Sequence, residues 1–426
     1  MEIVKENIFI MRKLFFLFTF LIPSTILSAE TDDVISKLSN IDLPVIYIET
    51  TNGEMPTYDI ADHPLGWGGR TIKNQTKVPG RIRITQKNQL LYDSGNYEEG
   101  NSGMTIRVRG NTSAWKHDKK PYKIKLKAKA DLLGKGKSKR YVLLANWMDR
   151  TLLRNDVSFE LARRTSLDWT PSGEFVELYF NGIHQGNYWL GEQIRVDENR
   201  VKADYLIEMD TYYDETYRFR TKFGFKPNTN DAGLPVGIKY PDDDDLTTEQ
   251  FLEIKELVTD VENAIYKNGD YSSKIDLDSF LDWYLVHEVT YNLEPNHPKS
   301  CYFHFSKGVM KAGPVWDFDW YTFQPSTWGL GISKSIYFGQ LFKDPDVISR
   351  LKEHWNAVKP EFETVDDYIL EKADLLALSD AINSKKWPCT SYVNGDDTMS
   401  FDQAIARMRE ALKNRIIEVD KRIQAL

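Results

Sequence analysis

The segment Val315-Trp316-Asp317-Phe318-Asp319-Trp320 puts two carboxylates two residues apart behind an apolar strand. If that strand ends in a turn, Asp317 and Asp319 can face one ion. Mg2+ accepts oxygens from one or two carboxylates and completes its shell with phosphate and water. Upstream, Asn292-Leu293-Glu294 and His297 offer a carboxylate able to orient a hydroxyl nucleophile or to take its proton. Two acids in a turn between core aromatics produce the same pattern, so its weight comes from its neighbours. One neighbour is Arg107-Val108-Arg109-Gly110-Asn111-Thr112-Ser113, followed by Lys119 to Lys125. A glycine turn with small hydroxyl residues lets backbone N–H groups approach a phosphate, and a following strand can bring lysines to the same anion. This is strand–loop–strand, unlike the Walker loop, where a helix follows the glycines. Surface lysines on an exposed strand face are the bland alternative. A second neighbour, Asn146-Trp147-Met148-Asp149-Arg150 with Arg154-Asn155, lies between a strand and a helix, where Asp149 or Thr151 reads most simply as a cap. His184, His287 and His304 share no metal-ligand spacing, and there is no HExxH, CxxC or GxSxG.

These residues need a scaffold, and the sequence predicts one in two parts. Strands are expected at Leu43 to Thr50, Gly80 to Thr85, Thr105 to Arg109, Pro121 to Lys127 and Arg140 to Ala145. In Pro121 to Lys127, Tyr122, Ile124 and Leu126 fall on one face and Lys123, Lys125 and Lys127 on the other. Leu152 to Arg164 reads as a helix. Phe175 to Phe180 and Gly186 to Leu190 form a hairpin across Asn181-Gly182. Strands follow at Leu206 to Met209 and Val236 to Tyr240. Past the acidic run Asp242 to Asp245 the periodicity turns helical. Thr247-x-x-Gln250 is a capping box, and Asp278 or Ser279 caps a second helix running to about Tyr291. A strand pair spans Phe303 to Trp316, and helices fill the chain from Val347. Strands first and helices later argue for α+β with two lobes.

With a net charge of −8, an extended nucleic-acid surface is excluded. Arg12 and Lys13, the apolar run Leu14 to Ile22 and the small residues Ser28 and Ala29 read as an export signal cleaved near Ala29. The run is too short to span a membrane comfortably, and no stable span is expected after cleavage. Export permits a disulfide between Cys301 and Cys389; two separate thiols fit the sequence equally well.

The order of these pieces resembles the CotH kinase family, named for a bacterial spore-coat protein. The matching stretches are IRVRGNTS (106–113), KPYKIKL (120–126), LANWMDRTLLRN (144–155), FVELYFNGIHQGNYWL (175–190) with Gly191-Glu192-Gln193, and GPVWDFD (313–319). LFKDPDVISRLKEHW (341–355) is similar to the family's C-terminal helical part. The resemblance implies an atypical two-lobed protein-kinase-like fold over residues 101–426, strand-rich to about 240 and helical after, preceded by a strand-rich segment at 30–100 and the signal at 1–29. It implies ATP with Mg2+ or Mn2+, and transfer of the γ-phosphate to Ser or Thr of secreted or surface proteins of a bacterium. Carried onto this sequence, Asp317 and then Asp319 hold metal, while Glu294 and Asp317 are catalytic. Arg109, Asn111, Ser113, Lys123, Lys125 and Arg154 meet the nucleotide, and Glu192 lies near its hinge. The chain departs from the family where Asn292-Leu293-Glu294 places Glu for the usual Asp. A carboxylate misplaced by about 1 Å can cost ~100-fold in rate. The competing reading is therefore a catalytically inactive kinase-like module acting as a surface or assembly partner. A carbohydrate-active enzyme with paired acids ranks behind both, because no independently placed acid pair is present.

Overall fold

A computed structural model describes residues 42–62, 70–212, 215–226 and 231–426. The export signal read at 1–29 lies outside the described residues. The strands are β1 (Val45–Thr50), β2 (Asp59–Asp62), β3 (Arg70–Lys73), β4 (Val78–Gln86), β5 (Gln89–Asp93), β6 (Met104–Val108), β7 (Tyr122–Ala130), β8 (Ser138–Leu144), β9 (Gly173–Phe180) and β10 (Ile183–Glu192). Seven of them pair in the order β1-β9-β10-β8-β7-β6-β4, and β4 returns to pair with β1, which closes a barrel. β1 runs parallel to β9, and the other neighbours are antiparallel. Alternation along each strand drives the closure, because one face of every strand is apolar. Ile46, Ile82, Ile106, Ile124, Tyr141, Leu178 and Leu190 fill the interior. The lysines of β7 stand outside, as its sequence alternation predicts, with Lys125 exposed. The sequence pointed to a strand-rich lobe but contains no sign that the sheet closes on itself. Strands from both sides of residue 100 share this barrel.

The β9–β10 hairpin turns at Asn181-Gly182, with φ of 48° and 79°. Two consecutive positive φ values are what a two-residue hairpin of matching twist requires, and Asn-Gly supplies them with little strain. β10 begins three residues before the predicted Gly186, because the register shifts between His184 and Asn187 and the bulge hides the alternation.

A second, five-stranded sheet is made of β11 (Tyr205–Met209), β12 (Arg218–Arg220), β15 (Pro235–Tyr240), β16 (Cys301–Ser306) and β17 (Val309–Ala312), with a small ribbon of β13 (Phe225–Lys226) and β14 (Asp231–Ala232). The helices are α1 (Thr112–Trp115), α2 (Arg154–Arg163), α3 (Thr248–Asn263), α4 (Leu277–Thr290), α5 (Phe338–Leu341), α6 (Pro345–Glu363), α7 (Val365–Lys386) and α8 (Phe401–Gln424). The architecture is thus mixed α+β, strand-rich first and helical later. α3 starts on the expected capping box of Thr247 and Gln250. α4 is capped by Asp276 instead of Asp278 or Ser279. The reason is local: the Ser279 hydroxyl donates to the Asp276 carbonyl at 2.7 Å, and the Asp278 carboxylate is taken by Arg350 at 2.8 Å. No described helix is long and apolar enough to cross a membrane. Cys301 and Cys389 are both free thiols.

α4 is buried along nearly its whole length, and α8 packs across it. Their contact is ionic at one end. Arg415 donates to Glu288 Oε2 at 2.6 Å and to the carbonyls of Glu288 and Gly329 at 2.7 Å. Glu288 in turn accepts the N–H groups of Gly331 and Ile332 at 2.8 Å. Arg415→Met should cost about 3–5 kcal/mol in chemical denaturation, because Glu288 is left as a buried uncompensated charge. Adding Glu288→Gln should recover part of that loss.

Candidate functional site

Four loops and the inner strands of one sheet meet at a cavity of about 360 Å³. The barrel contributes the loop after β6, from Arg109 to Lys119, and the loop after β8, from Asn146 to Met148. The second sheet contributes Glu208, Asp210, Lys239 and Tyr302, and the remaining walls are Glu294, Lys299 and Ser300, then Trp316 to Trp320.

Asp317 does not stand at the end of a regular strand. It occupies a left-handed position with φ of 68°. Such a conformation costs about 1 kcal/mol or more for a residue with a Cβ, so the surroundings must hold it. They do so through the backbone on either side. The Asn292 amide donates to the Asp317 carbonyl at 3.1 Å, and the Phe318 N–H donates to Asn155 Oδ1 at 2.8 Å. Ser300 Oγ donates to Asp317 Oδ2 at 3.3 Å. The Asp319 carbonyl accepts from Asn394, which also holds the Met148 carbonyl. Asn292 has a second task, as its Oδ1 accepts the Glu294 N–H at 3.0 Å. One side chain therefore fixes the spacing of Glu294 and Asp317.

The carboxylates are crowded. Burial pushes Glu294 and Asp319 well above the ordinary carboxylate range, and the charge of Asp317 pushes each further. Asp210 is pushed up to about 8 by burial and then by Glu208. It accepts the N–H groups of Tyr212 at 2.6 Å and Ser300 at 3.2 Å. Glu294 Oε2 is buried and has no hydrogen-bond partner. Positive charge enters from three sides. Arg109 lies 5.4 Å above the Trp316 ring and feels Asp317, Asp319 and Glu208. Lys239 bridges Glu208 at 2.9 Å and Glu215 at 2.6 Å. The Lys299 ammonium lies 4.5 Å from the Tyr212 ring centre.

Among the described residues, no three His, Cys, Asp or Glu side chains converge closely enough to hold a metal ion alone. The donors nonetheless suit a hard divalent ion that takes one or two protein carboxylates and finds its other oxygens on phosphate. Asp317 and Asp319 are such a pair, and the Glu294 oxygen beside them has no hydrogen-bond partner.

Of the residues singled out from sequence, Arg109, Asn111, Ser113, Glu294, Asp317 and Asp319 line the cavity. Arg154 lies beneath it. Its guanidinium is sandwiched between Asp149 and Asp396, and its Nη2 reaches Asp396 at 2.6 Å. Glu192 is buried in the barrel wall, accepting from Ser172 N–H at 3.1 Å and Arg200 at 3.3 Å. Lys123 and Lys125 stand on the outer barrel face and do not line the cavity. The loop after β6 holds one helical turn, α1, where an unbroken loop was expected; Gly110, with φ of 82°, starts it. Sequence reasoning missed Glu208, Asp210, Glu215, Lys239, Lys299 and Tyr302. Their one visible signal was acids in alternation at the end of a strand, Glu208 and Asp210 in LIEMD.

A group whose folded pKa is raised stabilises the fold below its unfolded pKa and loses that contribution as pH climbs through the folded value. For Asp210 this window runs from about 4 to about 8. The metal-free protein should therefore lose stability in thermal melts from pH 5 to 8, and Asp210→Asn should flatten that dependence.

The family model described as CotH kinase protein matches residues 106–416. Every cavity residue named above falls within that stretch. No curated protein matches the chain.

Proposed function

Because the chain belongs to the CotH kinase family, we propose that it is an exported, atypical protein kinase that moves the γ-phosphate of ATP to Ser or Thr of other exported proteins. The observation that carries this reading is the convergence of Glu294, Asp317 and Asp319 with Arg109 and Lys299 on one cavity. Negative side chains that repel each other, met by cations at the rim, suit a ligand that brings both divalent metal and phosphate. In this reading the barrel and the helical part would correspond to the two lobes of a kinase.

In this reading Asp317 and Asp319 hold the metal, which when bound would neutralise charge on the phosphate oxygens. Arg109 and the loop Gly110 to Ser113 receive the phosphates. Glu294 orients the acceptor hydroxyl and takes its proton as the oxygen attacks the γ-phosphorus. The bond to the bridging oxygen breaks, and ADP leaves. Its high proton affinity suits Glu294 to that step. Arg154 and Asn155 act from below, the first by fixing Asp149 and Asp396, the second by holding the Phe318 N–H. Export rests on the leader pattern at 1–29.

A second reading, a kinase-like module that binds without transfer, is favoured by the identity of Glu294. Its backbone is fixed by Asn292, so the extra methylene relative to Asp moves the carboxylate itself.

Protein beginning at Glu30 should transfer label from γ-labelled ATP, with Mg2+ or Mn2+, to itself or to a Ser-rich acceptor. Asp317→Asn should reduce transfer at least 100-fold, and Glu294→Gln about 100-fold or more. Transfer unaffected by Glu294→Gln would remove that residue from the mechanism. Metal-dependent ATP binding without any transfer would establish the binding module instead.

A further inference from the structure

On the outer face of the barrel beside the cavity, cations outnumber the acids able to neutralise them. Arg107 of β6 stands in register with Lys123 of β7, and Lys125 stands in register with Arg140 of β8. All four alternate with the buried Ile106, Ile124, Leu126 and Tyr141, and so lie on the outward side. Arg109 continues the row into the cavity wall. Arg195 flanks it on the other side and is held by Asp242 at 3.1 and 3.2 Å, an acid that Arg140 also reaches at 3.4 Å. Arg107, Lys123 and Lys125 meet no carboxylate at ion-pair distance among the described residues.

Arg107 and Lys123 are partly buried, and an unpaired cation away from water is costly. Burial, and then the charges of Arg107, Arg140, Arg109 and Lys239, push the Lys123 amine down to about 6, so it regains its proton only when an anion lies against it. The row therefore favours an anion. Its length bears on which one. Same-face positions repeat at about 7 Å along a strand, so the row from Arg109 past Lys123 to Lys125 extends more than ~10 Å and runs away from the carboxylate cavity. An extended polypeptide with acids on alternate residues has that same repeat.

We propose that this outer barrel face docks an acidic stretch of the acceptor polypeptide, next to the Ser or Thr that enters the cavity. The proposal rests on the phosphotransfer reading for its meaning, but binding alone tests it. Two fluorescent twelve-residue peptides with one central Ser, flanked either by Glu and Asp or by Lys and Arg, are titrated with the full chain without nucleotide, by anisotropy. The acidic peptide should bind at least tenfold tighter, and added salt should erase the difference. Arg107→Gln with Arg140→Gln should weaken the acidic peptide roughly tenfold while leaving ADP binding, followed by thermal shift, unchanged. Lys125→Glu, at an exposed position on the barrel's outer face, should act in the same direction. Equal binding of the two peptides overturns the proposal, as does acidic-peptide binding that survives both sets of substitutions. Weakened ADP binding in the double variant also overturns it, and assigns the row to nucleotide phosphates. A protein that transfers no phosphate still gives a clear result here, so failure of docking and failure of catalysis are told apart.

Discussion

Several carboxylates share one partly dry space in this protein, and like charges so placed repel each other unless something fixes them. Few ion pairs do the fixing. Glu208 is held by Lys239, but Glu294, Asp317 and Asp319 are held chiefly through backbone hydrogen bonds from Asn155, Asn292 and Asn394. Neutral amides position a charge without cancelling it. The carboxylates therefore keep their demand for positive charge, and that demand is available to a ligand. A site with each acid already paired to an arginine would be more stable and chemically inert.

The arginines are used one layer below. Arg154 joins Asp149, on the loop after β8, to Asp396, on the segment before α8. Arg150 reaches Asp380 of α7 at 2.7 Å from the same loop. Barrel and helices are thus tied by buried ion pairs directly under the cavity floor. Removing one partner would leave the other uncompensated in the interior, which is the costly case. The site's amides have a rigid base because the charges beneath them are satisfied.

This division explains what could be read from the sequence. The strands of the barrel were visible because hydrophobic alternation is local; Tyr122, Ile124 and Leu126 declare their face without reference to any partner. Its closure was not, since pairing of β4 with β1 depends on geometry accumulated over the whole sheet. Asp317, Asp319 and Glu294 were visible because their types and neighbours suggest chemistry. Asp210 and Lys299 were not, because each gains its role from a loop distant in sequence. Arg154 was recognised as important but given a ligand-facing place. Its two acid partners, one of them Asp396 far along the chain, decide the matter, and no local pattern contains them.

The closed barrel also imposes an order on synthesis. Val45 of β1 pairs with Thr85 early, but its other edge waits for Glu177 of β9. Until that strand emerges, β1 offers an open edge, and the apolar interior has no complete wall. Loop closure over so long a separation is slow, and unpaired edges invite association with other chains. The first strand therefore cannot lock the fold until the chain through β9 is present to pair with it.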